Sequence, residues 1–111
     1  MAAARAVPLI IGEHRLEDCI GRGTDATIWR ATHLVTNQVV VAKVVDARQE
    51  ARRQRALSEA SILASLPASA EGRIIGYYGC EEIPREWVVL FLEYASMGNL
   101  ASFIHRYGRL D

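Results

Sequence analysis

Apolar residues alternate with polar ones, or form short runs, through most of the chain, and this pattern is typical of β-strands. Residues 14–20 (HRLEDCI), 27–33 (TIWRATH) and 38–45 (QVVVAKVV) predict three consecutive strands. Turn signals separate them at Gly21-Arg22-Gly23 and at Asn37. Because the turns are short, the three strands should form an antiparallel meander.

The pattern changes from strand to helix after the third strand. Residues 47–66 consist mainly of good helix formers, and Pro67 predicts the end of the helix. Asp46 is expected to cap this helix, with Gln49 three residues later completing a capping box. Leucine and alanine side chains would form a modest apolar stripe, and the arginines of the segment would face solvent.

Two further strands are predicted at residues 73–82 and 86–94, joined by a turn at Pro84. The second of them is apolar almost throughout, which is expected of a strand covered on both faces. Residues 98–108 (GNLASFIHRYG) predict a short helix. The predicted fold is therefore α+β, with a five-stranded antiparallel sheet, one long helix and a short C-terminal helix.

Composition narrows the class of protein without naming a function. The 111 residues are 50% hydrophobic and 23% charged, as expected of a folded globular domain or part of one. A formal net charge of zero argues against nucleic acid or an anionic membrane as the main partner. No apolar run approaches the roughly 20 residues of a membrane span, and the N-terminus lacks a signal-peptide pattern. We expect a cytoplasmic location, which could extend to the nucleus.

The cysteines and histidines give no indication of a metal or redox site. Cys19 and Cys80 are expected to be reduced core thiols, although an oxidising compartment would allow a disulfide between them. His14, His33 and His105 are scattered and have no metal-ligand spacing.

Lys43 stands in the most hydrophobic predicted strand, on the same face as Val41 and Val45. A buried lysine without a partner would lose its charge, so Lys43 either reaches water from an edge strand or pairs with a carboxylate. Glu59 is the candidate partner, because its position on the predicted helix should face the sheet. The alternative is that Glu59 forms an ordinary surface pair with Arg55, four residues earlier.

Gly21 and Gly23 lie between two strands. Backbone N–H groups without neighbouring side chains can approach phosphate oxygens closely, so these glycines could form an anion site. A Gly-x-Gly between strands is, however, also common as a simple tight turn.

Five motifs together resemble the N-terminal lobe of eukaryotic protein kinases. They are IGRGTDATIW, VVAKVV with its lysine 22 residues after the first glycine, SEASIL, IIGYYGC and LFLEYASMGNL. The resemblance covers residues 14–111, with residues 1–13 as an N-terminal extension. The style of IIGYYGC and LEYASMGNL resembles plant mitogen-activated protein kinase kinase kinases.

This resemblance implies ATP as the cofactor and assigns roles to particular positions. Lys43 would hold the α- and β-phosphates, fixed by its ion pair with Glu59, and these two residues are the predicted catalytic pair. Leu92 would stand at the back of the adenine pocket. The positions expected to contact ATP are Ile20, Gly21, Arg22, Gly23, Thr24, Ala26, Ile28, Val41, Lys43, Leu92, Glu93 and Ala95.

The implied activity is transfer of the ATP γ-phosphoryl group to a protein serine or threonine hydroxyl, with a MAP kinase kinase as the candidate substrate. Mg²⁺ would be required, and its ligands are expected in the C-terminal lobe. Because no His-Arg-Asp or Asp-Phe-Gly motif occurs in the 111 residues, the chain alone is predicted to be inactive. Ala26 replaces the third glycine of the family loop. Because alanine adopts a positive φ less readily than glycine, the tip of this loop is expected to be less flexible than in the family.

Two alternatives differ in class. GRGTDA followed by Asp46 matches a dinucleotide-binding fingerprint, which requires residues 24–36 to form a helix. The second alternative is a non-catalytic module that binds nucleotide or a kinase partner. Preference for NADH over ATP would favour the first, and binding without phosphoryl transfer would favour the second.

Overall fold

The computed structural model describes residues 6–65 and 76–94, in which six strands and one helix form. The strands are β1 (Ile10–Ile11), β2 (His14–Arg22), β3 (Ala26–His33), β4 (Val39–Asp46), β5 (Tyr77–Ile83) and β6 (Trp87–Glu93), and the helix is α1 (Glu50–Ser65). One sheet contains all six strands in the order β1-β2-β3-β4-β6-β5, and every neighbouring pair is antiparallel.

The predicted antiparallel sheet with one long helix is confirmed, and the strand number is six rather than five. The additional strand is β1, which lies within the predicted N-terminal extension and pairs with the start of β2. Two residues are too short to give a periodic signal, so the sequence pattern could not reveal β1. The predicted C-terminal helix and the segment containing Pro67 lie outside the described residues.

Antiparallel pairing of β2 with β3 excludes the dinucleotide-binding alternative, because residues 26–33 form a strand and not the required helix. β2 continues to Arg22, two residues beyond the prediction, so the turn falls at residues 23–25. The predicted turn at Asn37 is confirmed: Asn37 has a φ of 63°, and its N–H donates to the His33 carbonyl at 2.9 Å.

The central strands β4 and β6 separate two apolar cores. In β6, side chains alternate between the faces, so Val88, Leu90 and Leu92 pack on one side and Val89 and Phe91 on the other. The first six residues of this strand are buried, which confirms that it is covered on both faces.

Helix α1 covers the first face through small side chains. Its buried residues are Ala56, Ala60 and Leu63, which pack against the β4 and β6 residues of that face. We call this assembly the helix-side core. The helix begins at Glu50, three residues later than predicted, because the Asp46 carboxylate accepts the N–H of Arg48 at 3.1 Å. Asp46 therefore closes a turn before the helix and does not cap it.

The opposite face is closed by curling of the sheet itself. The His14 ring, at the start of β2, stacks on Phe91 of β6 with centroids 4.0 Å apart and meets the His33 ring edge-on at 4.8 Å. Leu16, Val40 and Trp87 belong to the same core. The β1–β2 turn thereby reaches β5, where a side-chain carbon at Gly12 would lie 3.1 Å from Glu81.

Among the described residues, no helix is long and apolar enough to cross a membrane.

Candidate functional site

Lys43 is the centre of the candidate site. It lies in β4 opposite Ile28 of β3 and Leu90 of β6, and its side chain is 1% exposed. The ammonium group donates to both carboxylate oxygens of Glu59, with Nζ–Oε1 and Nζ–Oε2 distances of 3.0 and 3.2 Å. The ion pair predicted between β4 and the helix is therefore present, and Lys43 does not reach water at an edge strand.

Burial and pairing act on this lysine in opposite directions. Desolvation lowers the pKa of Lys43 below its usual 10.5, and the charge and hydrogen bond of Glu59 only partly restore it. The ammonium is consequently held in the sheet at a free-energy penalty. A buried charge that is unfavourable for folding is expected at a site that uses the charge rather than at one that only stabilises the fold.

Glu59 projects from α1 towards the sheet, and its side chain is 29% exposed. Because its carboxylate binds Lys43, Glu59 does not pair at the surface with Arg55 alone. The Arg55 guanidinium lies 4.0 Å from the Asp25 carboxylate in the turn between β2 and β3. Ile62, three residues after Glu59, is 62% exposed, whereas Ala60 lies in the helix-side core.

The apolar residues predicted to surround adenine lie together in the helix-side core. Ile28, Val41 and Leu92 are fully buried there, and the half-buried Ile20 packs against them. They share one face of the sheet with Lys43, as strand alternation requires. Sequence reasoning missed Tyr77 and Tyr94, which also pack against this core.

The glycine-containing turn between β2 and β3 adjoins this face. Gly21 is opposite Ile28 in register, after a bulge in β2, and the Gly23 N–H donates to the Ala26 carbonyl at 2.8 Å. Arg22, Gly23 and Thr24 are exposed. Neither Gly21 nor Gly23 has a positive φ, so the backbone here does not itself require glycine. Because glycine has no side chain, these two positions would leave room for a ligand to approach the backbone.

Ala26 causes no backbone difficulty in this turn. It is the first residue of β3, is paired with Val45 and is buried, without a positive φ. The doubt raised by the missing third glycine is therefore removed for the conformation described, since an alanine fits a regular strand position without strain.

The end of β6 carries Glu93, which the family resemblance places at the edge of the adenine ring. Glu93 is exposed, its N–H donates to the Gly76 carbonyl at 2.8 Å, and its carboxylate accepts the Gly76 N–H at 3.0 Å. Since the N–H is occupied, only the carbonyl of Glu93 could contact an adenine. Ala95 lies outside the described residues.

An ion-pair cluster next to the turn was not predicted. Arg52 of α1 lies 3.1 Å from the Asp25 carboxylate and 3.9 Å from that of Asp46. The arginines of the helix were expected to face solvent, but Arg53 also binds an acidic residue of the sheet, Glu82 of β5. The signal available in the sequence was a carboxylate at the tip of a glycine-containing turn, opposite an arginine-rich helix.

Cys19 and Cys80 are free cysteines, and both are half-buried rather than the core thiols that were expected. The Cys19 thiol donates to the Gly21 carbonyl at 3.4 Å, and burial is the main cause that raises the pKa of Cys80 above its usual value. Within residues 6–65 and 76–94, no group of three or more histidine, cysteine or acidic side chains is arranged to hold a metal ion.

Taken together, the sheet order, the buried Lys43–Glu59 pair and the adjoining glycine turn are the arrangement of a kinase N-terminal lobe. Comparison with known families agrees: the protein kinase domain matches residues 14–111. The chain belongs to the protein kinase family.

Curated relatives include the serine/threonine-protein kinases ATG1a and ATG1b of Arabidopsis thaliana. They are 32% and 33% identical and cover 91% and 97% of this chain. The serine/threonine-protein kinase SIK3 homolog of Danio rerio is 32% identical over 98% of the chain. The chain spans 16%, 15% and 9% of the lengths of these three relatives. These relatives do not support the narrower resemblance to MAP kinase kinase kinases.

Proposed function

We propose that this chain is the ATP-binding lobe of a serine/threonine protein kinase, which transfers the ATP γ-phosphoryl group to a protein hydroxyl. The observation that carries the proposal is the buried Lys43 ammonium, held by Glu59 beside a glycine-containing turn. A desolvated lysine is an unfavourable structural element, but it is well suited to binding a polyanion.

Different groups of the chain would contact the two ends of ATP. The exposed residues 22–24, next to Gly21, would face the phosphates, and Lys43 would bind the α- and β-phosphate oxygens. Ile20, Ile28, Val41 and Leu92 share one apolar face with Lys43 and would hold the adenine ring. Glu93 and Ala95 would contribute backbone hydrogen bonds at the adenine edge.

Each residue has a distinct task in this proposal. Glu59 orients the ammonium of Lys43 and keeps it protonated, while the turn excludes water from the phosphates. Mg²⁺ would neutralise the phosphate oxygens, and the residues to hold it are expected outside the N-terminal lobe. The residue that accepts the substrate proton is expected there as well.

The preference for serine or threonine is proposed from these three relatives, which are all serine/threonine-protein kinases. The placement among MAP kinase kinase kinases, with a MAP kinase kinase as substrate, depends only on the motifs IIGYYGC and LEYASMGNL. We therefore leave the substrate at the level of a protein hydroxyl. A cytoplasmic location remains a proposal from the sequence.

Calorimetric titration of the 111-residue chain with ATP and, separately, with NADH tests the proposal. ATP should bind, and Lys43→Met should weaken it at least tenfold, whereas the exposed helix variant Glu50→Gln should bind as the wild type does. Tighter binding of NADH, or equal ATP binding by Lys43→Met, would contradict the proposal. ATP binding with no phosphoryl transfer by a longer product of the gene would favour the non-catalytic alternative.

A further inference from the structure

Asp25 occupies the tip of the turn between β2 and β3, where a carboxylate would face the phosphates of a bound nucleotide. Its side chain is nonetheless only 10% exposed, because it turns towards α1. The backbone carbonyl of Asp25 accepts the N–H of Asp46 at 2.8 Å, which fixes the turn to the end of β4. Asp25 is therefore held by the backbone of the sheet and by the helix at once.

Arg52 is the helix residue that binds this carboxylate. The Nη2–Oδ1 distance between Arg52 and Asp25 is 3.1 Å. This contact is an ion pair and not a well-aligned hydrogen bond. The Nη1–Oδ2 distance between Arg52 and Asp46 is 3.9 Å. Arg55 adds a second positive charge 4.0 Å from Asp25. The corner of the sheet thus presents two carboxylates to the first half of α1.

Arg52 and Glu59 are seven residues apart, which is about two helical turns and about 10 Å along the axis. Both lie on the face of α1 that meets the sheet, since one binds Asp25 and the other Lys43. Two polar contacts at this separation resist pivoting of the helix, and Arg53 adds a third contact by binding Glu82 of β5. Of these three contacts, the one made by Arg52 joins the helix to the turn.

The apolar attachment of α1 is too small to fix the direction of the helix alone. Its buried residues are Ala56, Ala60 and Leu63, two of them alanines with little area to bury, and Leu57 packs against the same core only partly buried. A helix held mainly through small side chains is expected to shift easily over the sheet, so polar contacts gain weight.

We propose that Arg52 is a positioning residue that acts with Asp25 to hold α1 in the orientation that keeps Glu59 on Lys43. The same contact withdraws the Asp25 carboxylate from the phosphates and couples the glycine-containing turn to the helix. This inference rests on the proposed function for its consequence on nucleotide binding. The mechanical coupling between turn and helix can be tested without it.

Hydrogen exchange of the 111-residue chain, without nucleotide, tests the coupling. Asp25→Asn and Arg52→Gln should each accelerate exchange about fivefold in both the turn (residues 20–27) and α1, and Arg52→Lys should retain most of the protection. Arg53→Gln is the matched control, because Arg53 binds Glu50 and Glu82 instead. It should accelerate exchange in α1 and β5 but not in the turn. Unchanged exchange of the turn in Arg52→Gln, or of α1 in Asp25→Asn, would overturn the coupling.

The link to Glu59 is tested by combining variants in ATP titrations. Asp25→Asn should weaken ATP binding about fivefold when Glu59 is present and have no further effect in the Glu59→Gln background. Equal losses in both backgrounds would show that Asp25 does not act through Glu59. If the wild-type chain does not bind ATP, the proposed function fails for this chain, and hydrogen exchange still decides whether Arg52 positions the helix.

Discussion

The Lys43 ammonium lies 3.0 Å from Glu59 Oε1 although its side chain is 1% exposed, whereas that of Glu59 is 29% exposed. The two partners therefore differ in what they lose when the other is removed. Glu59 can regain water, but Lys43 cannot. This asymmetry yields the first prediction.

Replacing Lys43 by Met should leave the free energy of unfolding unchanged or raise it, because a buried charge is exchanged for an apolar side chain of similar length. Glu59→Gln should lower it by about 2–3 kcal/mol, since the lysine is left buried without its carboxylate. Urea denaturation at pH 7 measures both.

The exposed Glu50→Gln is the matched control on the same helix, and it should change stability by less than about 0.5 kcal/mol. If Lys43→Met lowers the free energy of unfolding by several kcal/mol, the ion pair stabilises the fold in the ordinary way. If Glu59→Gln does not lower it, the ion pair contributes nothing to stability.

The His14 ring predicts a dependence of stability on pH. Burial is the main cause that lowers the pKa of His14 below 6.5, His33 lowers it further, and Glu13 and Glu81 partly oppose both effects. Because the unfolded chain then binds the proton more readily, this contribution is complete above pH 6.5 and is lost as the pH falls through the pKa of the folded state.

Urea denaturation between pH 5 and 8 should therefore show stability that decreases below about pH 6.5. His14→Phe, which keeps a ring against Phe91, should remove most of this slope, and His33→Gln should reduce it less. A profile for His14→Phe parallel to the wild type would assign the slope to other groups.

The stability of the fold should depend on one glycine, Gly12, and not on another, Gly23. Gly12 has a φ of 58° and a side-chain carbon there would lie 3.1 Å from Glu81, so Gly12→Ala should destabilise by about 1–2 kcal/mol. Gly23 is exposed and has no positive φ, so Gly23→Ala should leave stability within about 0.5 kcal/mol.

The affinity for ATP should instead fall in Gly23→Ala and stay unchanged in Gly12→Ala. The reason is that Gly23 lies in the turn proposed to face the phosphates, whereas Gly12 lies outside it. Thermal unfolding and ATP titration of both variants test this. Destabilisation by Gly23→Ala, or unchanged ATP affinity, would show that this glycine serves the turn and not a ligand.

Strand alternation was sufficient to predict the central part of this fold. In β4 the alternation placed Lys43 on one face with Val41 and Val45, and the structure confirms that face. The apolar run of β6 likewise predicted burial on both sides. These predictions succeeded because successive side chains of a strand point to opposite faces of the sheet, whatever the tertiary contacts.

Features that depend on tertiary contacts escaped prediction. The two-residue strand β1 exists because β2 offers it an edge. The Asp46 turn is a local exception: its carboxylate accepts the N–H of Arg48 two residues later, an alternative to capping the helix. The Asp25–Arg52 contact joins a turn to a helix that begins 25 residues later. No periodicity in a single sequence encodes such pairs.

Lys43 is the only lysine in the sequence, so the charge proposed to bind the nucleotide phosphates can be followed by a single NMR signal. With [ε-¹³C]lysine incorporated, an NMR titration reports the pKa of this residue directly. We predict a pKa below 10.5 in the free chain, a lower one in Glu59→Gln, and a rise on addition of ATP. A lysine that titrates at its usual pKa and does not respond to either Glu59→Gln or ATP would contradict the proposed nucleotide site.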